Sequence, residues 1–239
     1  ELKGKEVVIG VSETIANDGT ITAENNLQLT ATSHLNKGEL KGKEVVVGVS
    51  DTIANDGIIQ ATEHLVLRGK SLLQQGANTE LSGQQIDGQF SAGFEINKGA
   101  LRSTGVAAIT ATDIEFNDST VDVEDAVFKA EDGIELSDTV YQSRGGSEFW
   151  GGNVNFITSK VTGKRFQGVA KTGDMGLQQT TLTTTEAEGM MGLRAQNDII
   201  VDNKSKVVAA GVMGIHAKNK VHNQGDITAK TVLEITATS

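Results

Sequence analysis

The sequence predicts an all-β chain, a right-handed parallel β-helix with about 19–22 residues per turn. Three observations carry the prediction. A turn-and-strand unit recurs at a fixed spacing, and such periodicity fixes an architecture more firmly than any single motif. Apolar residues alternate at period two, in runs of about 3–5 residues that are too short for ordinary helices. The chain has 28 glycines and no proline, as expected where both edges of every strand must donate to a neighbour. A unit of two or three short strands cannot bury its own apolar face, but a stack of such units can. Each strand then pairs in parallel with its equivalent one rung away, ~4.8 Å along the axis. Right-handedness follows from the usual hand of parallel crossovers.

In chain order, the unit is first legible at Ile15-Ala16-Asn17-Asp18-Gly19-Thr20-Ile21-Thr22-Ala23, running on to Leu27-Gln28-Leu29-Thr30-Ala31. It returns at Ile53-Ala54-Asn55-Asp56-Gly57-Ile58-Ile59-Gln60-Ala61 and at Val221-His222-Asn223-Gln224-Gly225-Asp226-Ile227-Thr228-Ala229. Gly19, Gly38, Gly57 and Gly76 follow at steps of 19. Residues 1–18 and 39–56 differ only at Ile9/Val47 and Glu13/Asp51. These glycines read as turn residues with positive φ. Asn17, Asn55 and Asn223 read as stacked amides bonded to one another and to turn backbone. Residues 81–93 read as a rung with a small insertion. Gly99 restates the turn, and Asn117-Asp118-Ser119 restates it with Ser for Gly. Residues 1–140 are therefore β-helix rungs.

Residues 141–174 break the pattern. Gly145-Gly146 and Gly151-Gly152 flank the only Trp, Trp150, and the stretch also holds the only Tyr, Tyr141. It reads as a hairpin leaving one corner, or as an irregular pair of rungs. Rungs resume over 175–239, where Gly189-Met190-Met191-Gly192-Leu193 matches Gly211-Val212-Met213-Gly214-Ile215. The expected total is about eleven rungs, a rod on the order of 50 Å long.

The formal charge of −10 argues against nucleic acid and against electrostatic docking on anionic lipid. No apolar run approaches the ~20 residues of a membrane-spanning helix, so no membrane insertion is expected. With no cysteine there is no disulfide or thiolate chemistry. The absence suits export through an oxidising compartment. The first residue is Glu1 with the repeat already running, as in an interior piece without a signal peptide. Aromatic content of 4% fits a narrow core of Val, Ile, Leu and Ala.

The pattern Asn-x-Gly-x-Ile-x-Ala followed by Leu-x-Leu-x-Ala, over 17–31, 36–49, 55–67, 97–103 and 203–237, resembles the filamentous haemagglutinin repeat. That repeat belongs to large two-partner-secreted exoproteins of Gram-negative bacteria, among them virulence-associated adhesins and the toxin-delivery proteins of contact-dependent growth inhibition. The resemblance covers about two thirds of the chain and leaves out 141–174. It implies a non-enzymatic, monomeric stalk segment, secreted or held on the outer surface. Its parent chain would have an outer-membrane secretion partner and a receptor on an outer membrane or host cell. The family's secretion domain carries Asn-Pro-Asn motifs, so the lack of proline implies that this domain is not part of the segment. No toxin domain is expected in it either. The alternatives are a β-helical enzyme acting on polysaccharide and a phage tail-spike fragment.

No residue reads as catalytic, and no cofactor or metal site is expected. The acidic run Asp113, Glu115, Asp118, Asp122, Glu124 and Asp125 offers oxygen ligands of the kind calcium takes, but alternating charges on an outward strand face are ordinarily just solvated. None of His34, His64, His216 and His222 stands beside a nucleophile in sequence, and His216 and His222 read as surface residues. Asn117-Asp118-Ser119 and Asn203-Lys204-Ser205 match the short glycosylation sequon. The one aromatic and basic concentration, Arg144, Phe149, Trp150, Phe156, Arg165 and Phe166, is the candidate partner-binding set, since interfaces favour such anchors. Against it stands the simpler role of plugging an irregular turn onto the stack. Gly19, Gly38, Gly57, Gly76, Gly99 and Gly225, with Asn17, Asn55 and Asn223, are the expected structural turn and ladder residues.

Overall fold

The computed structural model describes residues 1–238. It is an all-β solenoid of about 12 turns whose strands stack in parallel. Every strand pairing is parallel and joins residues one turn apart, as in Ile21 with Leu40, Leu40 with Ile59, and Val121 with Tyr141. Each turn has three faces. The first two are often one long strand bent at a corner: Thr20–Ala31 and Glu39–Val49 are bulged there, with a register shift between Thr22 and Asn26. Ala100–Asn117 and Thr120–Ser137 run through all three faces. The third face holds short strands such as Thr14–Asn17, Ser33–Asn36 and Thr52–Asn55.

Alternation does the packing. In Ile58–Gly69 the inward positions Ile59, Ala61, Leu65 and Leu67 are buried while their neighbours face out. Inward residues of successive turns lie on one another in columns, forming a single continuous core. At ~4.8 Å per turn the stack is roughly 55 Å long.

A column of small residues runs up the corner between the third and first faces. The backbone bonds Glu39 N–H to Gly19 C=O, Ile58 to Gly38, Glu80 to Gly57, Ala100 to Thr79 and Thr120 to Gly99 define its lower half. Val140 to Ser119, Lys160 to Thr139, Thr181 to Ser159, Lys206 to Thr180 and Asp226 to Ser205 define its upper half. Gly225 ends the column. Gly76 does not belong to it. Thr79 takes that place, and Gly76, at φ +110°, turns a short loop in which it accepts both the Thr79 N–H and its hydroxyl. The insertion expected within 81–93 is therefore at 76–78. Positive φ is also not why the column glycines are glycine, since Gly76 is the only glycine recorded there. The reason is close approach: a Cβ on Gly38 would lie 1.9 Å from the carbonyl oxygen of Gly19, and one on Gly57 2.1 Å from that of Gly38.

Residues 141–174 do not form a hairpin. Val140–Ser143 pairs with 120–123 below and 160–162 above, and Gly146–Gly151 lies between 126–129 and Arg165–Ala170. Asn153–Ile157 pairs with 133–137 and 175–178. The stretch is a pair of rungs in parallel register. Its inward positions alternate as elsewhere, but Tyr141, Ser147, Phe149, Gly151 and Phe156 fill them in place of aliphatics, which hides the period in the sequence.

Candidate functional site

The residues proposed for partner binding split into two groups. Phe149 and Phe156 are fully buried and Phe166 is 3% exposed, so none can serve as a surface anchor. They belong to an aromatic stack running from Phe90 through Phe94, Phe116, Phe128 and Tyr141. Phe149 lies 5.3 Å from Phe128 and from Tyr141, 5.7 Å from Phe156 and 5.2 Å from Phe166, centroid to centroid. The narrow core holds these rings because small residues give way beside them. A Cβ on Gly88 would come within 3.1 Å of the Phe90 ring, and one on Gly168 within 3.2 Å of the Phe166 ring. The Tyr141 hydroxyl donates to inward-facing Ser147 at 2.7 Å, and burial pushes its pKa well above the ordinary phenol value.

Arg144, Trp150 and Arg165 face outward. Arg144 extends a charged ladder across turns: it pairs with Asp122 at 2.7 Å, and Arg102 reaches Glu80 at 3.1 Å and Asp122 at 3.7 Å. Trp150 is half-buried, and its indole N–H donates to Glu148 at 3.2 Å. Arg165 lies on a groove of about 560 Å³ with Asp125, Glu148, Gln167, Glu188 and Met190 on its walls. Met190 is 63% exposed there. The groove sets charged side chains of both signs beside exposed aliphatic surface.

The turn ladder is an inward column of amides. Asn17 donates to Asn36 at 2.8 Å, Asn36 to Asn55 at 2.8 Å, and Asn55 to Gln74 at 2.9 Å. Each Asn also donates to the corner glycine two residues on, as Asn36 does to Gly38 C=O at 3.2 Å. Asn36 and Gln74 are thus ladder members alongside Asn17 and Asn55. Asn223 is not stacked on another amide: it pairs with Val201, is exposed, and accepts from Gly225 N–H.

Above Gln74 the same inward column turns apolar with Ile96, Phe116, Leu136 and Phe156. A hydroxyl ladder at the corner replaces the amides. Ser119 donates to Ile96 C=O at 2.8 Å, Thr139 to Phe116 C=O at 2.8 Å, Ser159 to Leu136 C=O at 3.0 Å and Thr180 to Phe156 C=O at 2.9 Å. The residues just before these corners, Asp118, Asp138, Thr158 and Gln179, take φ of +48° to +50°. Ser119 and Ser205, the hydroxyl residues of the two sequons, are therefore buried ladder members, while Asn117 is half-buried and Asn203 is exposed.

The acidic run does not gather at one point. Asp122 is taken up by Arg102 and Arg144, and Asp125 accepts the Gly146 N–H at 2.6 Å. Glu115 stacks between Glu95 and Glu135. Partial burial first, then those two carboxylates, raise its pKa above the usual range. Among the described residues no three His, Cys, Asp or Glu side chains converge as a metal site, and no helix is long and apolar enough to cross a membrane. His216 and His222 are exposed, His216 beside Thr236 at 2.6 Å and His222 3.5 Å from Asp198. His34 points inward and is 1% exposed, and no sequence signal short of its place in the column Ile15–His34–Ile53 marks it.

No protein-family model, no curated protein and no solved structure matches the chain.

Proposed function

We propose that the chain is a length of stalk in a large secreted or cell-surface exoprotein of the two-partner type, holding a distal adhesive or toxic part away from the cell. The observation that carries this reading is the unbroken stack: about 12 turns share one core, and no loop longer than a few residues interrupts them. Such a stack resists bending because every backbone bond between turns lies along its axis, and each rung stabilises the next. Rung-by-rung folding would draw the emerging chain outward without ATP. The outward faces, with charges paired along the stack, suit a spacer whose length matters more than its surface. The test is a replacement in the cell that makes the protein. Exchanging this segment for an equal number of rungs with a different outward-facing sequence should leave contact-dependent binding or killing intact, while removing several rungs should reduce it. Loss of activity on the equal-length exchange would reject the stalk role.

A second reading, direct adhesion, rests on the groove that sets Arg165 beside exposed Met190. It expects Arg165→Ala with Met190→Ser to abolish saturable binding of the purified chain to target cells with an unchanged circular dichroism spectrum. Unaltered binding rejects it.

A further inference from the structure

We propose that His34 is a proton-sensitive latch: protonation of its buried imidazole opens the rungs around it while rungs farther along the solenoid stay stacked. The geometry is specific. His34 sits inward on the third face, in register with Ile15 below and Ile53 above, and both ring nitrogens are buried without a hydrogen-bond partner. The backbone of Ile15 offsets only part of the effect of burial. Nothing charged is at hand to hold an imidazolium. Glu24, Glu39, Lys41, Lys43 and Glu44, on the strands packed across from it, face away from the core. So do Glu13, Asp18, Lys37, Asp51 and Asp56 in the adjoining turns, while Thr14–Asn17 and Thr52–Asn55 carry no charge.

Burying an unpaired cation is costly, so the proton is taken up more readily when the rungs around the ring are open. Opening can stay local, because each rung contacts only its neighbours. Burial holds the His34 pKa down to about 4. The sign follows from linkage. The opened chain takes up the proton below the ordinary histidine value of about 6.5 and the closed rungs do not, so closure weakens as pH falls from there towards 4. At pH 5 the closed state is disfavoured about twentyfold relative to pH 7.

Hydrogen exchange of the full chain at pH 7 and pH 5, with times scaled for the intrinsic rate, tests this. Peptides across 14–55 should lose about twentyfold protection at pH 5 and those across 120–217 should keep theirs. His34→Leu, which copies Leu72 of the same column, should abolish the pH effect, whereas His64→Leu, at the exposed histidine beside Glu44, should retain it. Equal protection at both pH values, or the same loss in His34→Leu, overturns the latch. On the unmutated chain the His34 ring resonance should titrate far below the ordinary histidine value of about 6.5, and a midpoint near that value overturns the latch as well.

Discussion

Gly19 and Gly38 hold the same place in two copies of one repeat, yet they meet different surroundings. A Cβ on Gly19 has nothing within 4 Å, whereas one on Gly38 runs into the Gly19 carbonyl. The obstacle is backbone, so relief requires the two turns to part. Gly38→Ala should destabilise the chain by about 2–4 kcal/mol and Gly19→Ala by less than about 0.5 kcal/mol, read from denaturant midpoints. Glu115 gives a residue-scale prediction of pH dependence. Its pKa is raised, so the folded state holds the proton more tightly than the unfolded chain, and stability falls as pH rises through that window. Glu115→Gln should therefore raise the melting temperature at pH 7, with the gain vanishing below the ordinary glutamate pKa. A gain of equal size at pH 3.5 would refute the like-charge account. At this scale the sequence was legible where residues repeat: Asn17 and Asn55 stack as their equivalence suggests, and the corner glycines are structural. It was not legible at His34 or Gly76, because burial and column membership depend on register and not on residue type.

The rungs of 141–174 show the same limit at the scale of the element. The strands there alternate inward and outward like all the others, but rings and glycines share the inward positions, and the sequence presents them as an interruption. The core's cross-section is fixed by the turns above and below, so a large side chain fits only beside a small one. Phe149 is the test, since four rings surround it. Phe149→Ala should cost about 3–5 kcal/mol and Trp150→Ala, one residue away on the outer surface, under about 1 kcal/mol, by thermal or denaturant unfolding. Similar losses at both positions would show that Trp150 is part of the core. The two ladders are alternative solutions to one need. Where the inward residue is Asn, its amide satisfies the corner glycine; where it is apolar, a Ser or Thr at the corner supplies the hydroxyl.

For the whole molecule, stacking makes length adjustable in whole turns alone. Removing residues 20–57 joins Gly19 to Ile58, the same junction that Gly57 makes now, and lets Asn17 meet Gln74 as Asn55 does. The shortened chain should fold, with its long dimension in small-angle scattering reduced by roughly 10 Å. Removing 20–47 instead cuts through a turn and brings the third-face strand Thr52–Asn55 onto first-face positions soon after Gly19, and it should fail to give a cooperative transition. If both deletions fold equally well, column register is not what holds the chain.

The architecture is written in the residue pattern, because period-two alternation inside a repeat of about 19 residues leaves no other way to bury the apolar positions. Tertiary structure alone decided what each position meets: which glycine lies against backbone, which rings lie in the core, and which histidine is closed off from water. Those facts arise between turns, from atoms brought to within ~5 Å by stacking though they stand about twenty residues apart in the chain.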